Sequence, residues 1–143
     1  CPGGTVIFTA DASGTNKEFR WQISPNNSTW TTIVGMGSSP EYFGFFTTTT
    51  GTLTVSGVPS TLSGYYYRAN INTSCGDANT NSAQLMVNTP ISISTNPIAS
   101  WITCLGTNTN NQVAVVGTGP YSYQWQYNNT GTWTNLVNNG IFS

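Results

Sequence analysis

The sequence predicts an all-β protein, in its simplest form a β-sandwich, and three observations lead there. No window keeps a helical period over a useful length. Short runs that alternate apolar and polar residues recur between turn signals about every 8–12 residues, as in sandwiches. Finally, one tryptophan-centred strand occurs twice. Phe19-Arg20-Trp21-Gln22-Ile23, with Trp30 and then Ile33 behind it, returns as Tyr123-Gln124-Trp125-Gln126-Tyr127, with Trp133 and then Leu136. The offsets are 103 from Cys1 to Cys104, 104 from Trp21 to Trp125 and 103 from Trp30 to Trp133. A constant offset of one domain length marks an internal repeat. One unit is expected over residues 1–88, lacking its first strand, and the opening part of a second over 89–143.

In chain order, residues 5–10 put Val6, Phe8 and Ala10 on one face and Thr5, Ile7 and Thr9 on the other, a strand with one side buried. The polar cluster at 11–16 turns the chain. Phe19, Trp21 and Ile23 then face inward and Glu18, Arg20 and Gln22 outward, which places Trp21 in the core. Residues 24–28 form the loop of a hairpin whose second strand runs around Trp30 to Val34. The aromatic run at 41–46 reads as a connection. Leu53 and Val55 mark the next strand, and after Gly57-Val58-Pro59 a longer one carries Tyr65, Tyr67, Ala69 and Ile71 inward. The opposite register would bury Arg68 without a partner, which is costly. Cys75-Gly76-Asp77 ends that strand, Ala83, Leu85 and Val87 form the last, and residues 88–90 link to a strand at 91–95.

Composition narrows the function. Charged residues are 5% of the 143, against roughly 25% in ordinary soluble domains. The surface is therefore polar through hydroxyls and amides. Net charge is −1, and Lys17, Arg20 and Arg68 are the only basic side chains, so the phosphate-neutralising footprint of a nucleic-acid or anionic-membrane binder is missing. No apolar run approaches the ~20 residues of a spanning helix. The opening on Cys1 without a methionine reads as a cut inside a longer polypeptide.

In order and spacing, the motifs resemble immunoglobulin-like repeats of large secreted and surface proteins of gliding and related bacteria. The resemblance covers the whole chain. Its carriers are Cys1-x-Gly3, Phe19-Arg20-Trp21-Gln22-Ile23-Ser24, Thr29-Trp30-Thr31-Thr32-Ile33, Leu53-Thr54-Val55-Ser56-Gly57-Val58, Gly64-Tyr65-Tyr66-Tyr67-Arg68-Ala69, Cys75-Gly76 and Ala83-Gln84-Leu85-Met86-Val87. It implies a sandwich with Trp21 and Tyr67 in the core of the first unit and Trp125 in that of the second. Ala69 stands where antibody-type domains carry their second core cysteine. The odd count of three cysteines is accounted for if Cys1 pairs with Cys75, tying the end of the sandwich, and Cys104 pairs with a residue beyond 143. Such a bridge would contribute roughly 4 kcal/mol and imply an oxidising compartment. Stacked units are staked here on a buried Trp21 and on Cys1 and Cys75 lying at the same end.

With no histidine there is no Ser-His-Asp or Cys-His constellation and no imidazole ligand. The four carboxylates, Asp11, Glu18, Glu41 and Asp77, show no spacing that would gather a general acid and base. No catalytic residue, metal or cofactor is expected. Glu18, Arg20 and Arg68 read as a cross-strand ion pair rather than a recognition patch. Trp30 and Trp133 are candidate glycan platforms, although their shared repeat position favours structural roles. Phe45, Phe46 and Trp101 are the candidate interface. The four Asn-x-Ser/Thr sequences, at Asn26, Asn27, Asn72 and Asn128, read as chance in so Asn- and Thr-rich a chain. The functional expectation is a non-enzymatic repeat of an extracellular fibre, adhesin or stalk. Its partners would be neighbouring copies, with surface glycans second. The alternative is a carbohydrate-binding accessory module of a secreted polysaccharide-degrading enzyme.

Overall fold

A computed structural model describes residues 1–34, 40–48 and 51–138. Among these the chain is all-β, with no α-helix. The first unit contains β1 (Val6–Ala10), β2 (Glu18–Ser24), β3 (Thr31–Thr32), β4 (Glu41–Phe43), β5 (Phe46–Thr47), β6 (Gly51–Ser56), β7 (Tyr66–Thr73), β8 (Gly76–Asn79) and β9 (Ala83–Gln84). One sheet has the order β1-β6-β4; the other has β3-β2-β7-β8, with β5 also on β2 and β9 also on β7. Every pairing is antiparallel.

The two sheets face each other as alternation requires. Leu53 and Val55 from β6 meet Phe19 and Trp21 from β2 and Tyr67, Ala69 and Ile71 from β7, all buried. Phe8 of β1 bridges the layers, stacked on Tyr67 at 4.5 Å between ring centres and tilted against Trp21 at 6.2 Å. Trp21 stands opposite Ala69 in the β2–β7 ladder, so a small residue makes room for the indole. On β1 the exposed Ile7 and partly buried Val6, Phe8 and Ala10 follow the same alternation.

The aromatic run is more than a connection. Glu41–Phe43 pairs with β6 in one sheet, Phe46–Thr47 pairs with β2 in the other, and Gly44, at φ 73°, turns the chain between them. A side chain at Gly44 would strike the Thr52 carbonyl oxygen at 2.3 Å. Of Cys75-Gly76-Asp77, read as ending the strand before it, Gly76 and Asp77 open the edge strand β8.

The Cys1–Cys75 bridge is not formed: all three cysteines are free and exposed. Strand direction gives the reason. Cys1 lies beside Val58, Leu85 and Val87, at the end of the sandwich where β1 and β7 begin, and Leu85 N–H bonds the Tyr65 carbonyl there. Cys75 sits in the turn after β7 has ended. Eight residues of strand, ~26 Å at ~3.3 Å each, separate the two ends, against a Cα limit of ~7 Å for a disulfide. The expected placement of these cysteines at one end is therefore wrong, and with it goes their argument for an oxidising compartment.

The remaining strands are β10 (Ser92–Thr95), β11 (Ala114–Val116), β12 (Gln126–Asn128) and β13 (Trp133–Asn135), paired as two hairpins, β10–β11 and β12–β13. The linker continues the first: Thr118 N–H bonds the Thr89 carbonyl at 3.1 Å, and Thr89 N–H bonds the Thr118 hydroxyl at 2.8 Å.

Candidate functional site: the tryptophan hairpin and its second copy

The β2–β3 hairpin pairs Gln22 with Thr32 and Ile23 with Thr31, and Ile33 N–H bonds the Trp21 carbonyl at 2.9 Å. The β12–β13 hairpin pairs Gln126 with Asn135 and Tyr127 with Thr134, and Leu136 N–H bonds the Trp125 carbonyl at 2.8 Å. Both ladders therefore share one register through the repeat offset. Each hairpin loop is held by an asparagine carbonyl: Asn26 Oδ1 accepts from Ser28 and Thr29 N–H, and Asn128 Oδ1 accepts from Gly131 N–H. This gives Asn26 and Asn128 a structural task of the Asx-turn kind. The cysteine turns match as well. Gly4 N–H bonds Cys1 O and Thr107 N–H bonds Cys104 O, both at 3.2 Å, with Gly3 at φ 81° and Gly106 at φ 84°.

What differs is cover. Trp21 is 3% exposed, whereas Trp125, expected in a core, is 40% exposed. That expectation is corrected by a plain cause: β6 and β7, which close over Trp21, have no counterpart among the described residues after β13. Tyr123 and Tyr127, the counterparts of Phe19 and Ile23, are exposed too, and Trp125, Tyr123, Leu136 and Val137 line an open groove of about 660 Å³.

Two buried polar atoms in the first unit, Trp21 Nε1 and Tyr67 OH, have no hydrogen-bond partner. Burial first, and the neighbouring Tyr42 phenol second, push the Tyr67 hydroxyl far above its ordinary value, although no well-formed bond joins the two phenols. Tyr67 is accordingly a packing residue with a neutral hydroxyl.

Trp30 is half-buried, and the Arg68 guanidinium lies over its ring at 4.1 Å while donating to Gln22 Oε1 at 2.8 Å. That ring face is therefore occupied by a cation–π contact. Trp133 is exposed. The expected cross-strand ion pair is instead one between Glu18 and Arg20 along β2, alternate residues of one strand sharing a face, while Arg68 stands opposite Gln22 and Glu18 opposite Asn72. Phe45, expected as free contact surface, is partly buried against the core and its carbonyl accepts from Trp21 N–H at 2.8 Å. The Phe46 side chain lies outside the described part of the structure. Trp101 is exposed on a segment without regular structure.

No group of three or more His, Cys, Asp or Glu positioned to hold a metal occurs among the described residues, and no helix there is long and apolar enough to cross a membrane. A scan against protein-family models finds no match, and no curated protein matches the sequence.

Proposed function

We propose that this chain is a non-enzymatic, immunoglobulin-like repeat of an extracellular bacterial fibre, adhesin or stalk, in which units stack end to end and present surfaces. The observation that carries this reading is the duplicated tryptophan hairpin, equal in register and in the cysteine turn that precedes it. Supporting it, the sheet orders β1-β6-β4 and β3-β2-β7-β8 suit the B-E-D and C′-C-F-G strands of an immunoglobulin-like sandwich. The two bonds from Thr89 to Thr118 stiffen the linker. Of the two supports expected for stacking, the buried Trp21 stands and the placement of Cys1 and Cys75 at one end is lost, so stacking rests on the repeat alone. The extracellular assignment rests on the uncharged polar surface and the family resemblance.

The competing carbohydrate-binding reading predicts retention on insoluble polysaccharide or a glycan-array signal that Trp133→Ala abolishes while the fold is kept. The fibre reading predicts end-to-end assembly that Trp133→Ala leaves intact, and glycan binding by a protein that never assembles would overturn it.

A further inference from the structure

We infer that the outward face of the β2–β7 pair, centred on the Arg68 guanidinium held over Trp30, is a binding site for a carboxylate-bearing polysaccharide, a polyuronate. This rests on the surface-presenting unit proposed above and names a ligand class for it. Arg68, expected in an ion pair, has no carboxylate partner among the described residues, since Glu18 is taken by Arg20. Asp77 stands opposite Asn72, four residues along β7 from Arg68, or ~13 Å. Two contacts nevertheless fix the guanidinium: it lies 4.1 Å from the centre of the Trp30 ring, and its Nε–H donates to Gln22 Oε1 at 2.8 Å. Its two Nη groups have no partner among the described residues. A planar fork already ordered in this way matches a carboxylate through paired, charge-assisted bonds.

The surroundings of Arg68 choose the class of ligand. Alternation puts Tyr66 and Asn70 on the same face of β7 as Arg68, with Gln22 beside them on β2. Asn70 Nδ2 donates to Asn79 Oδ1 at 3.1 Å, which leaves the Asn70 carbonyl and the Asn79 amino group for sugar hydroxyls. A peptide would be held differently. Both β2 and β7 are interior strands with partners on each side, so no main chain can add to them at this point. Recognition here is by side chains alone, which suits a polyhydroxylated chain that carries carboxylates. A polyphosphate is poorly served, because its binding draws on many cations and this strip offers one without a counter-charge.

The test uses the full chain in native gels containing polygalacturonate, read as retardation, with the methyl-esterified polymer and dextran sulfate as comparisons. Expected is retardation by polygalacturonate alone, weakening as salt rises because the central contact is ionic. Arg68→Gln should lower the affinity about tenfold or more, and so should Arg68→Lys, which keeps the charge but loses the fork. Lys17→Gln removes an equal charge from a side chain engaged elsewhere, on the Ala12 carbonyl, and should bind as the unaltered protein does. The comparison of free with esterified polymer uses the unaltered protein, so it holds even if an Arg68 variant unfolds. Equal retardation by the ester or by dextran sulfate, none by polygalacturonate, or undiminished binding by Arg68→Gln would overturn the inference. Polygalacturonate binding by a protein that never assembles would keep this site and remove the fibre reading. Assembly without polygalacturonate binding would do the reverse.

Discussion

Trp21 and Trp125 hold one position in two copies of a strand, yet they carry unequal weight. Trp21 is sealed between two sheets, so Trp21→Ala should cost about 3–5 kcal/mol. Trp125→Ala should cost about 1 kcal/mol or less, because the indole is already largely in water. Urea denaturation of both variants checks the contrast, and equal losses would contradict it. Tyr67 gives a second handle. Its folded-state value stands above the ordinary 10.0, so the stability associated with its neutral hydroxyl is complete below pH 10 and is lost as the pH climbs further. Tyr67→Phe removes a buried hydroxyl without a partner. It should raise stability at pH 7 by about 1 kcal/mol and flatten the alkaline decline, as measured by thermal unfolding at pH 7, 9 and 11. The inward set Tyr67, Ala69 and Ile71 was legible from alternation and from the cost of burying Arg68. The contact of Arg68 with Trp30 was not, because it joins residues from different strands whose register only the folded sheet fixes.

Strands with clean alternation, β1, β2, β6 and β7, were readable from sequence because one face of each must be buried. The sheet-switching passage through β4 and β5 was not. Its aromatics alternate poorly, and its path depends on the left-handed conformation of Gly44 and on strand edges supplied from elsewhere. Gly51 shows how closely β1 and β6 approach: a Cβ there would lie 2.1 Å from the Ala10 carbonyl oxygen and 2.8 Å from the Phe19 ring. Gly51→Ala should therefore destabilise the first unit by about 1–3 kcal/mol, with the ladder shifted rather than lost. Denaturation together with amide exchange on β1 would measure it, and an unchanged midpoint would count against this packing. The cysteine pairing failed at this same scale. Sequence spacing fixes which turns carry Cys1 and Cys75, but the end of the sandwich to which each turn belongs follows from strand direction. Titration of the unfolded, unreduced monomer should find three free thiols, and a count of one would restore the discarded bridge.

For the molecule as a whole, the duplicated hairpin was legible, because three landmarks at one offset need no structure to be seen. The exposure of Trp125 was not, because strands like those that cover Trp21 do not follow its hairpin among the described residues. The proposed fibre has units following one another along a line. Electron microscopy of the native material tests this most directly. End-to-end beads should appear at a spacing of about 35–45 Å, the length of a strand such as β7 with its flanking turns; isolated particles without any axial repeat would contradict it.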